Sequence, residues 1–285
     1  MARARNRLRS DRRRQDLAGV ILLTLAGTVA VSIGLATYFL WPAALDPVTN
    51  CPKDGPSSLT LVLLDLTDPL TPAQRQALHN HFERIRDRIV PVHGSLELFA
   101  VEDMGGKLLS PKLIRCKPER SPDVPGAEVT RNERRLEKKW HEQYQVPFDK
   151  ALNETADVAS AARSPILEAI QSVALTSLLT PTHRDMPRLL IVVSDFLQNT
   201  KDVSFYRSIP DAQTFLASPS FLKVKADLSG VDVVLLQIDR TDAQAPVGLM
   251  ILWKAILHAE GAGVCVDSLM NFKGATDELD CEGAS

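Results

Sequence analysis

Three short, largely apolar runs in this chain each end on an aspartate. Leu59–Leu64 runs into Asp65, Arg188–Ser194 into Asp195, and Val231–Ile238 into Asp239. Runs of this length, with so little polar alternation, read as strands covered on both faces, the kind found in parallel sheets. Parallel strands point the same way, so their carboxyl ends share one edge, and ligands of open α/β sheets bind along that edge. The first run is followed by Asp65, Thr67 and Asp68, two acids and a hydroxyl within four residues. That is oxygen chemistry, suited to a hard cation such as Mg²⁺.

Helical patterns lie between the runs. Thr71 and Gln74 form a capping box around Pro72, and Leu78, Phe82, Ile85 and Ile89 make the buried stripe of the helix that follows. Ser95 to Val101 reads as a second strand. Lys107 to Cys116 reads as a third, placed at an edge because Pro111 cannot donate to a ladder. A long polar helix is expected from Thr130 to about Ala156, striped by Leu136, Trp140, Tyr144, Phe148 and Leu152 and kinked at Pro147. Ser164-Pro165 opens another helix, Leu249 to Glu260 forms one more, and Val264 to Leu269 is the last strand. Alternation on this scale predicts an α/β domain over residues 58–272, a doubly wound, mostly parallel central sheet with helices on both faces.

The amino terminus carries a different signal. Residues 1–16 hold seven Arg and two Asp, and residues 17–40 hold no charge. Twenty-four residues at about 1.5 Å each reach roughly 36 Å, so 17–40 is expected to be a transmembrane helix. The Arg cluster predicts a cytoplasmic amino terminus and an outward-facing domain. The expectation is therefore a single-pass protein of a bacterial inner membrane with its domain in the periplasm. Residues 41–57 read as a juxtamembrane linker and 273–285 as an acidic tail. Without residues 1–16 the chain keeps 26 basic and 33 acidic residues, a balance that argues against nucleic acid as its ligand.

Cys51, Cys116, Cys265 and Cys281 make no CxxC pair, so two disulfides fit better than a zinc site. Of the three possible pairings, Cys51–Cys116 with Cys265–Cys281 is favoured, because each bond ties a terminal segment to the sheet.

The order Asp65-Leu66-Thr67, then Ser164-Pro165-Ile166-Leu167-Glu168-Ala169-Ile170, then Ser194-Asp195-Phe196 resembles the von Willebrand factor A family over about residues 59–269. In that family an Asp-x-Ser-x-Ser motif, a Thr loop before a helix and an Asp ending the fourth strand form a metal-ion-dependent adhesion site. The resemblance implies metal ligands Asp65, Thr67, Ser164 and Asp195, holding Mg²⁺ or else Mn²⁺ or Ca²⁺. Two positions depart from it. Pro69 stands where the second serine belongs and offers no oxygen, which leaves Asp68 as the candidate replacement. Phe196 stands where glycine is usual.

The leading functional expectation is a non-catalytic binding module whose protein partner lends a carboxylate to the metal. A second is a metal-free assembly subunit docking through the Trp140–Phe148 helix. An aspartyl phosphohydrolase is disfavoured, because Thr67 occupies the place of its acid/base Asp, and no P-loop, GxSxG or HExxH motif is present.

Overall fold

The computed structural model describes residues 19, 21–36, 44–67, 69–120, 123, 133–157, 163–206, 208–240 and 245–270. The chain divides into two units, Met1–Ala44 and Leu45–Ser285.

In the first unit the membrane expectation is corrected. Among the described residues no helix is long and apolar enough to cross a membrane. The helical residues described there are 19 and 21–36. The span expected at 17–40 is therefore not supported. Neither are the membrane attachment, the cytoplasmic amino terminus or the periplasmic placement that depended on it. Residues 1–16 lie outside the described residues.

The second unit is built on a six-stranded sheet. The elements in chain order are β1 (Leu59–Leu64), α1 (Pro72–Arg84), β2 (Ser95–Ala100), β3 (Leu113–Cys116), α2 (Glu133–Trp140), α3 (Val146–Asp157), α4 (Ile166–Val173), β4 (Arg188–Ser194), α5 (Ala212–Leu216), α6 (Pro219–Val224), β5 (Asp232–Gln237), α7 (Leu249–Ala259) and β6 (Gly263–Ser268). The strand order is β3-β2-β1-β4-β5-β6. All neighbours are parallel except β2 and β3. Alternate residues of β1 feed two separate cores. Leu59, Leu61 and Leu63 pack with α4 and α7, whereas Val62 and Leu64 pack with α1, Tyr144 and Phe148. A strand with no polar face is therefore explained by helices on both sides.

Three elements differ from the sequence reading. The third strand is only Leu113–Cys116, antiparallel and at the edge. The segment before it turns at Gly105 and Gly106, both in the left-handed region. The long helix is divided by a π turn at His141–Gln145, so Pro147 falls in the first turn of α3, where a missing N–H costs little. Residues 45–57, read as a linker, fold against the β3 edge. Cys51 bonds Cys116, and the Cys116 N–H donates to the Thr49 carbonyl at 2.9 Å.

The placement that matters for function is at β1 and β4. β1 leads through α1 to β2 on one side, and β4 leads through α5 and α6 to β5 on the other. The strand order reverses between them, and the loops leaving their carboxyl ends diverge and leave a crevice. Leu64 is level with Val193, so Asp65 leaves the sheet beside Ser194.

Candidate functional site

Asp65 is held by the backbone before its side chain makes any contact. Its N–H continues the ladder to the Val193 carbonyl at 2.8 Å. Its side chain is 3% exposed and turns into the crevice. One oxygen, Oδ2, accepts from the Ser164 hydroxyl at 2.5 Å and from the Ser194 hydroxyl at 2.8 Å. Burial raises this carboxyl above the ordinary range, and hydroxyl donation from Ser164, Ser194 and Thr67, with the Thr67 N–H, works against that rise. Thr67 comes near enough to act on the carboxyl, yet Oδ1 meets no donor within hydrogen-bonding geometry.

Ser164 is brought to Asp65 by the α4 entry. It pairs with Asn199 in an isolated bridge, so the loop after β4 clamps the loop before α4. The sequence casts Ser164 as the hydroxyl opening that helix, but it does not cap it. Gln198, fully buried, accepts the Leu167 N–H at 3.0 Å and donates to Glu168 at 2.7 Å. A glutamine from a different loop thus meets one orphan donor of the α4 amino terminus.

Asp195 sits one residue beyond β4 and is committed to other partners. Its Oδ1 accepts from the Leu197 N–H at 2.9 Å. Its Oδ2 lies 3.3 Å from Nη1 of Arg240, with side chains 11% and 17% exposed respectively. The same Nη1 is 3.3 Å from the Tyr206 hydroxyl, and the guanidinium carbon is 5.6 Å from the Tyr206 ring centre. Arg240 reaches this edge because β5 runs parallel to β4, with Ser194 level with Gln237.

Phe196 takes φ +62°, the left-handed backbone that glycine adopts freely. A side chain there costs about 1–2 kcal/mol. The position is held by its surroundings. The Phe196 N–H donates to Ser194 Oγ at 2.7 Å, its carbonyl accepts from the Trp253 indole at 2.9 Å, and its buried ring meets Trp253 edge-on at 5.5 Å.

Beside the crevice lies an open cleft of about 430 Å³, whose lining includes Asp103, Lys107, Arg163, Glu168, Lys201 and Asp202. Three acids and three bases share its walls, and Arg163 and Asp103 approach to 3.4 Å across it.

The fold therefore brings Asp65, Ser164 and Ser194 into one hydrogen-bonded group with Thr67 beside it, and gives Asp195 to Arg240. Asp68 lies outside the described residues, and exposed Pro69 brings no oxygen. Sequence reasoning missed Ser194, Gln198, Tyr206 and Arg240. The signal for Ser194 and Arg240 was available, since each adjoins a strand-end aspartate.

A divalent cation was implied by the family resemblance, and the donor set can be tested against it. Asp65 Oδ1, buried and unpartnered, suits a cation. The rest does not. The Asp195 carboxylate already holds a permanent positive charge, Asp65 is shifted toward its neutral form, and one hydroxyl position is proline. Mg²⁺ requires near-octahedral oxygens at about 2.0–2.1 Å. As folded, these residues do not fit it. Among the described residues no three carboxylates, imidazoles or thiols converge elsewhere.

The disulfide Cys51–Cys116 is formed, and Cys265 is disulfide-bonded as well, whereas Cys281 lies outside the described residues. Trp140, Tyr144 and Phe148 are buried in the core, so the aromatic stripe of that segment packs inward, and His141, Glu142, Gln143 and Val146 are its exposed residues.

No family model matches this chain, and no curated protein matches it. Among solved structures it is similar to an aerotolerance-related membrane protein from Bacteroides fragilis, at 10% identity, covering 75% of this chain and 93% of that one, with a TM-score of 0.41. It is also similar to a conserved hypothetical protein, BatB, from Bacteroides thetaiotaomicron, at 12% identity, covering 74% and 90%, with a TM-score of 0.39. Both are distant structural matches. The doubly wound, mostly parallel sheet rests on the strand order above.

Proposed function

We propose that this chain is a non-catalytic protein-binding module that engages its partner over the β1/β4 crevice and the adjoining cleft. The observation that carries this reading is the mixed-charge cleft beside the point where the strand order reverses. Three acidic and three basic side chains line it. A single-sign lining would favour a phosphate or a polyanion, whereas interleaved charges suit the polar rim of a protein interface. Exposed Leu108 and Tyr206 lie on the loops leaving this edge and offer the apolar contact that such a rim surrounds. The reading is non-enzymatic because both crevice carboxyls are engaged, one by serine hydroxyls and one by a guanidinium. Neither is left as a base or nucleophile with a substrate in front of it.

The test is site-specific photocrosslinking of the full chain in its native cells. A benzophenone amino acid replaces Leu108, Tyr206 or Asp185, the last being an exposed residue close before β4 and so toward the opposite edge. An adduct of one size is expected from positions 108 and 206 and none from 185. Adducts from 185 alone, or equally from all three, refute docking at the carboxyl edge.

A further inference from the structure

We propose that Arg240 is the resident cation of this edge, so that the guanidinium takes the place a divalent metal would fill and docking proceeds without added metal. The inference deepens the docking reading and rests on it for the location of the partner surface. Its geometry stands independently.

Three observations meet here. First, both oxygens of the fourth-strand acid are engaged. One oxygen of Asp195 accepts the Leu197 N–H, and the other lies 3.3 Å from the guanidinium. A metal ion would have to evict a group that never loses its charge in a protein. Second, the guanidinium is placed by the fold and not by a wandering side chain. Arg240 follows β5 on the same edge, and Tyr206 holds it with a hydroxyl at 3.3 Å and an aromatic ring at 5.6 Å. Cation–π contact and partial burial both strengthen such a pair against solvent screening. Third, Pro69 offers no side-chain oxygen for a metal, and Arg240 supplies the positive charge that the Asp195 carboxylate needs. A double positive charge arriving within a few ångströms of the guanidinium would be repelled by it.

The consequence is specific. An edge with an exchangeable metal responds to chelators and to divalent ions, whereas an edge with a covalently attached cation responds to neither. The site also needs no lone carboxylate from its partner to complete a coordination shell, so recognition falls to the polar cleft and its apolar neighbours.

The experiment is thermal unfolding of the full chain in EDTA, in millimolar Mg²⁺ and in millimolar Mn²⁺. The wild type is expected to show one midpoint in all three. Arg240→Ala is expected to lower that midpoint by about 5 °C, by stranding a carboxylate with little exposure. Mn²⁺ then restores part of the loss, and Asp195→Asn in the same chain abolishes the restoration. Arg240→Lys, which keeps a positive charge, stays insensitive to Mn²⁺. If Arg240→Ala fails to fold, Arg240→Gln carries the same comparison. A wild-type midpoint that rises with Mn²⁺ and loses the rise in Asp195→Ala overturns the proposal. So does an Arg240→Ala chain as stable as wild type, or one indifferent to Mn²⁺. None of these readouts depends on a partner, so this inference and the docking reading fail separately.

Discussion

Asp65 and Asp195 look alike in the sequence and are treated in opposite ways by the fold. Each ends a strand, and each sits beside the point where the strand order reverses. Asp65 is buried, accepts from uncharged donors, and is driven toward its protonated form by loss of water. Asp195 is less buried and faces a guanidinium. The strand pattern fixes where a carboxyl stands. Whether it is neutral or charged depends on what the neighbouring loops bring to it. Serines come from the α4 entry and the β4 end, and arginine comes from the β5 exit. A site that needs two ionised carboxylates around one ion is thereby divided into a hydroxyl-bonded half and an ion-paired half.

The largest expected effect tests burial as the cause of the Asp65 shift, using an acid at the opposite edge. Glu260, at the end of α7, accepts the Ala226 N–H through Oε1, and its Oε2 is buried without a partner. Burial raises its carboxyl to about 7, against smaller opposing effects of the Ala226 N–H and Lys225. The folded state therefore holds this proton more tightly than the unfolded chain. The stability it contributes is full below the unfolded value and is lost as pH rises through about 7. Glu260→Gln should change little near pH 4 and stabilise by up to about 3 kcal/mol near pH 8. Denaturant unfolding across that range measures it. A flat difference would show that burial alone does not lift a carboxyl in this sheet, and the account of Asp65 would fall with it.

Next in size is Asp195→Asn. The change keeps the shape and removes the charge facing Arg240. With side chains 11% and 17% exposed, the pair is screened more than a fully buried one. The expected loss is about 2 kcal/mol, below the value for a completely desolvated pair. Double-mutant cycles with Arg240→Gln would assign the loss to the pair. Independent, additive losses would mean that the two side chains are neighbours without coupling.

Much of the fold was legible because the strands carry so little polar alternation. Thr60 apart, β1 is wholly apolar, and only helices on both faces account for that. β3 was legible as an edge through Pro111 but was drawn too long, because Leu108 and Leu109 imitate a strand while the glycine turn before them redirects the chain. The helix interruption was visible at Pro147, yet a sequence cannot show that the ladder slips to a π turn ahead of it. The site was legible for single residues and not for partnerships. Asp65, Thr67 and Ser164 were named from their order. Arg240 was not, because its approach depends on β5 lying next to β4, a non-local fact. Phe196 was visible as a departure from glycine, but Trp253, which holds it in the left-handed region, lies 57 residues away.

The smallest expected effect is the most discriminating. Asp65→Asn imitates the protonated carboxyl. Its amide oxygen can take the place of Oδ2 and accept from Ser164 and Ser194, as that oxygen does now. Its NH₂ falls where Oδ1 has no donor, beside the Thr67 hydroxyl, which can accept. The folded carboxyl is raised, so the wild type loses stability as pH climbs from the unfolded carboxyl range through the folded value, and the asparagine variant does not. Near pH 4 the substitution should cost less than about 1 kcal/mol, and it should improve relative to wild type as pH rises from there. A site built around an ionised Asp65 predicts the reverse, a large loss that deepens with pH. Urea unfolding of both chains at two pH values decides between these outcomes, and a variant that weakens as pH rises would return Asp65 to the role of an ionised ligand.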